Sequence, residues 1–506
     1  MLIRMRHILL FFFVAFCSYN LTAQQTTKEL LRWAADAEGN APYIIPDPAN
    51  PSKLIGFEVD IANEIAKILN MEAVFVQNQW DGLIPGLNNR NYDIAINGLE
   101  ITDDRKEEIN FSVPYYLTYE QLVVLKDRID INSMSDLEGK RVGALKSSLA
   151  ERILRSDKSI KVLTYDGEVS ALTDMANGRL DAVLCDAPIA IYYAEPDERF
   201  KLVGLPIGEV SYGIVIKKDN IELLNKINYA LGILKSSKKL REILEEWNLW
   251  NYTMAQYTDD YIPSTTIPSK YQYYRKHTDK PKNILTYLER YWLSMPTFAM
   301  GASMTLSISI LSMLVAIIVG LFLAIARVYG PFLISKAAIL FIEVIRGTPL
   351  LIQLYFIYYA LPIIGIQLPA YVAAIIGLGL NYAAYEAENY RAGLFSVPKG
   401  QMEAALSLGM RRRTALRFII LPQAVRLVIP PVTNDFISLL KDSSLVSIIT
   451  IIELTKEYFR LSSTYFDFLG TGIIVAAIYL LLGLPFVRLS KYLENKYSIY
   501  KPKSGS

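Results

Sequence analysis

Cysteine is almost missing from this chain: its 506 residues include two, Cys17 and Cys185. If the N-terminal segment is cleaved, as argued below, Cys185 stands alone. No intrachain disulfide can then form, even in an oxidising compartment. A surplus of either charge is missing too. The 52 Lys and Arg against 50 Asp and Glu leave a net charge of +2, which by itself argues neither for nor against nucleic acid; no such partner is expected, and no metal site. No Gly-x-x-x-x-Gly-Lys-Ser/Thr phosphate loop occurs anywhere, so the chain cannot hydrolyse ATP by that route. A Thr-Val-Gly-Tyr-Gly potassium-filter string is absent as well.

Locally, what the second half lacks is charge. Residues up to about 290 are charge-rich, whereas Ser294–Ala326, Gly347–Tyr385 and Phe468–Val487 carry no ionised side chain. Crossing a bilayer takes about 20 apolar residues, so the second run is long enough for more than one crossing. The C-terminal half is therefore expected to be a membrane domain.

Met1 to about Ala23 has the makings of a secretory signal. Arg4, Arg6 and His7 precede an apolar stretch from Ile8 to Phe16, and Leu21-Thr22-Ala23 offers a cleavage site. A retained anchor is the alternative. Lipidation at Cys17 is disfavoured because Phe16 is too bulky for the small residue usual before a lipidated cysteine.

From about Lys28 to Tyr252, short apolar runs alternate with amphipathic stretches. Leu31–Ala35, Ala73–Gln77, Asp93–Ile96, Val142–Ala144 and Ala182–Cys185 are strand-like, while Phe57–Leu69, Glu168–Asn177 and Ile221–Leu234 have helical spacing. This alternation implies parallel sheets covered by helices, and the length suits two α/β lobes. Residues 253–290 form a Tyr-rich segment with Pro263, Pro268 and Pro281 and no clear apolar period, expected to be a tether outside the membrane. Its tyrosines could dock on the membrane interface or on a lobe.

The membrane half, 291–495, predicts about five helices: 296–326, 337–360, 369–394, 420–446 and 469–488. Joints after the first (Arg327, Lys336) and third (Arg391, Lys399, Arg411, Arg412, Arg413, Arg417) are basic, as is the tail that ends at 496–506. By the positive-inside rule those joints face the cytoplasm. Five crossings that begin outside end inside, which agrees with an exported N-terminal domain.

Within the joint 397–417, Glu403-Ala404-Ala405 is followed by Gly409 and then by Ile419-x-Leu421-Pro422. A short helix bearing two alanines can lie close in a partner's groove, and the glycine permits a sharp exit. The bland alternative is a surface helix that ends at a glycine. The spacing resembles the EAA loop of bacterial ABC importer permeases. That resemblance implies that Glu403, Ala404, Ala405 and Gly409 engage a separate ABC ATPase in two copies, which carries the ATP and Mg. No cofactor is then bound by this chain, and the economical assembly is a homodimer of it, with heterodimerisation open. Glu343-Val344-Ile345-Arg346-Gly347-Thr348-Pro349 and Phe436–Leu445 also resemble the amino-acid permeases. Glu343, Arg346, Lys441 and Asp442 are candidates for the translocation path, or else for charge pairs that lock helices; Asn381, Glu386 and Glu388 are further candidates. Thr348-Pro349 should break or bend its helix.

The first half resembles the polar-amino-acid solute-binding proteins through Gly56–Ile61, Trp80–Leu87, Ile101–Lys106, Phe111–Tyr116 and Gly139–Gly143. The resemblance implies a two-lobed clam over 28–252 that closes on one amino acid. It places Arg105 on the ligand carboxylate, with Ser147 and Ser148 as further donors. Asp186 falls on the ammonium, and Trp80 falls on the pocket wall or in the core. Asp36 is expected near the ligand side chain, and Tyr43 stands where the family commonly has Phe after Ala-Pro, with Asn97 and Gly98 also in the site. Glu100 departs from the family, which places a Ser or Thr there. Asp36, Glu100 and Asp186 against one Arg105 would leave net negative charge, which favours a cationic ligand. The rival account turns Glu100 to solvent or pairs it with Lys146, and glutamine-like neutral or acidic ligands then compete.

Taken together, these features imply a fused receptor and permease for ATP-driven uptake of a polar amino acid, in contact with lipid in a bacterial inner membrane. The receptor would lie outside and the C-terminus in the cytoplasm. A ligand-gated channel is disfavoured because 30–250 is uninterrupted, and an enzyme because it has no use for the EAA loop. A sensory receptor is disfavoured because about 15 residues follow the last helix.

Overall fold

The computed structural model describes residues 28–279 and 283–497. The predicted signal segment, and the tail beyond 497, lie outside the described residues.

Two five-stranded sheets build the first half. One has the order β4-β1-β5-β12-β6, from β1 (Leu30–Ala35), β4 (Glu72–Gln77), β5 (Ile94–Ala95), β6 (Ile109–Phe111) and β12 (Val215–Lys217). The other has the order β11-β7-β10-β8-β9, from β7 (Tyr116–Leu125), β8 (Arg141–Leu145), β9 (Lys161–Tyr165), β10 (Ala182–Asp186) and β11 (Phe200–Tyr212). A hairpin of β2 (Ile45–Asp47) and β3 (Asn50–Ile55) stands apart. The expected parallel sheets are mixed instead. β1 runs parallel to β4 and β5, and β8 to β9 and β10, but β7, β11 and β12 pair antiparallel. The reason lies at the hinge. The chain leaves the first lobe through β6 and β7 and returns through β11 and β12, so the outgoing and returning strands, paired as β7 with β11 and β6 with β12, run in opposite directions. The two passages bond to each other: Ser112 N donates to Ile214 O at 2.8 Å and Tyr115 N to Tyr212 O at 3.0 Å.

The predicted tether is largely helical. Helix Ser269–Thr278 lies on the receptor, where Tyr271 and Tyr274 pack on Tyr192 at 5.0 and 5.1 Å between ring centres. Lys270 bonds Asp60 at 2.8 Å and Glu246 at 2.7 Å. The tyrosines thus choose the lobe.

In the membrane half, helices are labelled α1 (Ile284–Tyr329), α2 (Phe332–Gly347), α3 (Leu350–Ile364), α4 (Ala370–Ser396), α5 (Lys399–Ser407), α6 (Arg412–Ile449), α7 (Leu454–Tyr465) and α8 (Phe468–Tyr497). α1 starts within the expected tether, capped by Asn283, whose side chain accepts from Thr286 N at 3.1 Å. The break at Thr348-Pro349 occurs as expected, with α2 and α3 inclined at 108°. Among the described helices α1, α6 and α8 are long and apolar enough to cross a membrane, or four spans if the bent pair counts as one. α4 is 27 residues long but carries Asn381, Glu386, Glu388, Asn389 and Arg391. It packs along α1 and α6, close enough that a Cβ at Gly379 would stand 2.7 Å from Val315. The expected five spans are thus three or four by length and apolarity among the described helices, and α7 has no counterpart among the helices expected from the sequence.

The two ends of α4 are about 40 Å apart at 1.5 Å per residue. Its first turns pack with Leu354, Tyr358, Val446 and Ile449 beneath the receptor. Its last turn leads to Val397 and α5 at the far end. The receptor and the EAA helix are therefore separated by the depth of the helical half.

Candidate functional site

The cleft between the lobes is lined from both sides. β1 ends at Asp36, whose carboxylate accepts from Gln77 Nε2 at 2.8 Å, Glu38 N at 3.2 Å and Trp80 N at 3.3 Å. Its own N–H donates to Asn97 Oδ1 at 2.5 Å. Asp36 thus lines the cleft while its oxygens bond within its own lobe. Gly98 adopts φ +56°, and a Cβ there would stand 2.9 Å from the Tyr43 ring, so this backbone turn depends on glycine. Trp80 is half-buried at the cleft, with the Arg105 guanidinium 5.8 Å from its ring centre.

On the opposite lobe, Asp186 ends β10. Tyr43 OH and Tyr212 OH donate to Asp186 Oδ2 at 3.0 and 2.5 Å. Glu120 stands beside Asp186 as its partner across β7 and β10, fully buried, and neither of its carboxylate oxygens accepts a hydrogen bond among the described residues. Glu168, which opens helix Glu168–Ala176, completes a group of three carboxyls, none ion-paired to a Lys or Arg among the described residues. Burial, and then the charge of Glu100, push the Asp186 carboxyl up to about 6. Burial and the charge of Asp186 hold Glu120 and Glu168 well above the usual carboxylate range.

Glu100 is where the sequence reading needs correction. It turns neither to solvent nor to Lys146, which instead bonds Asp81 at 3.0 Å. One oxygen of Glu100 pairs with Arg105 Nη1, and the other accepts from Leu149 N at 2.9 Å. Leu149 begins helix Leu149–Ser156. A guanidinium and a helix N-terminal N–H are the donors a ligand carboxylate needs, so Glu100 takes that position itself. Arg105 Nη2 also donates to Ser147 O at 3.0 Å, which makes both contacts bridges between the lobes. Ser148 caps the helix, accepting from Glu151 N at 3.2 Å, and its hydroxyl donates to Leu145 O at 2.7 Å. Ser147, at φ +60°, presents its carbonyl to Arg105 and its N–H to Glu151 Oε2 at 2.6 Å. With the lobes closed in this way, the inner cavity is about 30 Å³ and lined by Asp36, Tyr43, Trp80, Glu100, Glu168 and Asp186.

Glu120, Glu168 and Tyr212 were missed in the sequence. A lone carboxylate inside the apolar run Tyr116–Leu125 was the available signal for Glu120. Glu168 gave none, because an acid in a first helical turn is ordinary.

In the membrane half, α5 ends at Leu408 and Gly409, at φ +82°. Gly409 N bonds Leu406 O at 2.9 Å and Met410 N bonds Ala405 O at 3.1 Å, closing the helix with its last carbonyls satisfied. Ala405 is buried, while Glu403, Ala404, Leu406 and Leu408 are exposed. Glu343 and Arg346 do not pair with each other. Both are exposed on α2, and Arg346 lies 5.3 Å from the Tyr385 ring centre. Lys441 is exposed, and Asp442 accepts from Tyr382 OH at 2.7 Å. Asn381 donates to Gln353 at 3.0 Å, and Glu388 pairs with Arg327 and Arg391.

Two family profiles match the chain. "Bacterial extracellular solute-binding proteins, family 3" covers residues 31–249, and "Binding-protein-dependent transport system inner membrane component" covers 316–499. The probable amino-acid ABC transporter permease protein YckA of Bacillus subtilis is 40% identical over 207 residues, 41% of this chain and 92% of that protein. The glutamine transport system permease protein GlnP of Escherichia coli is 37% identical over 210 residues, 41% of this chain and 96% of that one. The first half is similar to the ABC transporter arginine-binding protein 1 of Escherichia coli, 28% identical over 202 residues, 39% of this chain and 82% of that protein.

Proposed function

The chain belongs to the amino-acid ABC importers, a family-3 solute-binding domain fused to its permease domain in the inner membrane, and from that premise we propose that it takes up a basic amino acid. One observation carries this reading. Asp186 is backed by Glu120 and Glu168, buried carboxyls with no Lys or Arg partner among the described residues, and the Arg105 guanidinium is already on Glu100. A second cation on the ligand would favour ionising a further carboxyl of this group, since a buried carboxylate without a partner is costly and stays protonated instead. The ligand carboxylate takes Arg105 and the Leu149 N–H after Glu100 swings aside, and the ammonium takes Asp186. The relatives include both a glutamine permease and an arginine-binding protein.

In this reading the receptor lies outside the membrane and the C-terminus inside. Two copies of the chain engage two ATPase subunits through α5, and ATP-driven closure there is transmitted along α4 and α6 to the receptor side. The fusion holds the receptor at high effective concentration over its permease.

The test is calorimetric titration of the full chain in lipid nanodiscs with the twenty amino acids and ornithine. Tight binding of arginine, lysine, ornithine or histidine supports the basic reading. Tight binding of glutamine, asparagine or glutamate alone keeps the importer and overturns the substrate. Binding of none overturns the amino-acid reading.

A further inference from the structure

Outside the closed cleft lies a second, larger space of about 650 Å³ that neither half forms alone. Its receptor wall includes Asp36, Glu38, Asp81 and Asp166, and its permease wall includes Ser444, Ser447, Thr455 and Lys456. It shares Asp36, Glu38, Trp80 and Asp166 with the inner cavity, so it adjoins the cleft as a vestibule between receptor and permease.

The charges of this vestibule are uneven. Four carboxylates face two lysines, and Lys146 is already bonded to Asp81. Lys456, on α7, is the cation that the permease contributes. Its side chain is 1% exposed, and its ammonium pairs with Glu38 of the receptor, two residues beyond Asp36 at the end of β1. A buried lysine needs a carboxylate partner, and here that partner comes from the other half of the molecule. Around this pair both lobes touch the permease. Tyr465 OH donates to Pro48 O at 2.9 Å, Asn91 Nδ2 to Tyr358 OH at 2.9 Å, and Tyr193 packs on Phe466 at 5.2 Å between ring centres.

We propose that Lys456 is a release residue: a cation tethered to the permease that, when the receptor docks, pairs with Glu38 at the cleft mouth and so competes with a cationic ligand for the negative field of the cleft. This rests on the basic-substrate reading. The competition is intramolecular, so it acts at the high effective concentration that the fusion sets. A receptor docked on its permease therefore holds a cationic amino acid more weakly than an undocked one, and the freed ligand enters a chamber whose permease wall includes Ser444, Ser447 and Thr455. Lys456 acts through Glu38 and does not touch the ligand in the cleft.

The experiment compares the full chain in nanodiscs with Lys456→Met and Lys456→Arg, by titration with arginine and with glutamine and by ATP-driven arginine uptake after reconstitution with the ATPase. Lys456→Met is expected to bind arginine at least tenfold more tightly and to transport it more slowly, with glutamine affinity within twofold of the parent. Lys456→Arg is expected to keep the parent's values. Lys456→Gln replaces Lys456→Met if the latter does not assemble. If arginine binds the parent and the uncharged variant equally, Lys456 is a docking contact and the proposal is overturned while the substrate reading stands. If no basic amino acid binds the parent, the substrate reading fails and takes the proposal with it.

Discussion

At the scale of single residues, the site is governed by where carboxylates find partners. Glu100 was legible in the sequence as a departure from the family, but not its partner, because a side chain's direction depends on the opposite lobe. Its bond to Leu149 N crosses the cleft. Glu100→Thr frees both Arg105 and that N–H, so binding of an α-amino acid should tighten by about tenfold, or about 1.4 kcal/mol. The preference for basic ligands should survive, since it comes from Glu120, Glu168 and Asp186. Weaker arginine binding in Glu100→Thr would place Glu100 among the ligand's own contacts. The raised carboxyls also set a pH dependence. Asp186 titrates near 6 and Glu58, pushed up by burial against its bonds to Tyr115 and Gly98, near 8. Both hold protons in the fold that the unfolded chain has lost, so they stabilise the unliganded receptor most at low pH, and that contribution is lost as pH rises through 6 and then 8. A cationic ligand needs Asp186 ionised. Arginine affinity should therefore rise by up to about tenfold per pH unit below 6 and flatten above, with proton release seen in buffers of different ionisation enthalpy. A flat profile from pH 5 to 7 would mean that Asp186 does not meet the ligand's cation.

Elements were read more fully than their neighbours. Phe57–Ile68, Glu168–Ala176 and Ile221–Ser236 form where helical spacing put them, because each has one apolar face to bury. The segment 253–290 gave no periodic signal for its helices. Ser269–Thr278 has few apolar residues, and its order comes from Tyr192, Asp60 and Glu246, all distant in sequence. α7 escaped notice for the opposite reason. Its charged residues Lys456, Glu457 and Arg460 suggest solvent, yet they are buried under the receptor. The EAA helix shows its whole logic locally, since Gly409 and the buried Ala405 fix its exit and its seat. Ala404 points outward, so Ala404→Asp leaves the fold untouched and places a charge on the surface proposed to meet the ATPase. ATP hydrolysis should lose its stimulation by arginine, while arginine binding to the full chain stays within twofold of the parent. Retained stimulation would show that the ATPase docks elsewhere.

For the whole molecule, one side of the permease half leaves ionised residues exposed. α2 carries Glu343 and Arg346 on an exposed face that also shows Val344, 52% exposed, next to the break at Thr348-Pro349. Leaving such charges against lipid costs about 2.5–3.5 kcal/mol each on insertion scales, so ionised residues in spanning helices face protein or a wet path. Neither residue pairs with the other within the chain, which is why the sequence could nominate both and assign a role to neither. A second copy related by a two-fold axis would cover this face and enclose the charges between the two α2 helices, where a substrate path would run. Val344→Cys should then give a covalent dimer with a short bismaleimide in native membranes, while buried Cys185 stays unreactive. A cysteine on the outer face of α8, at Leu480, serves as the control and should not cross-link. Cross-linking at both positions, or at neither with the chain running as a monomer, would remove the homodimer. A Val344→Cys adduct with a different chain would put a second permease in its place.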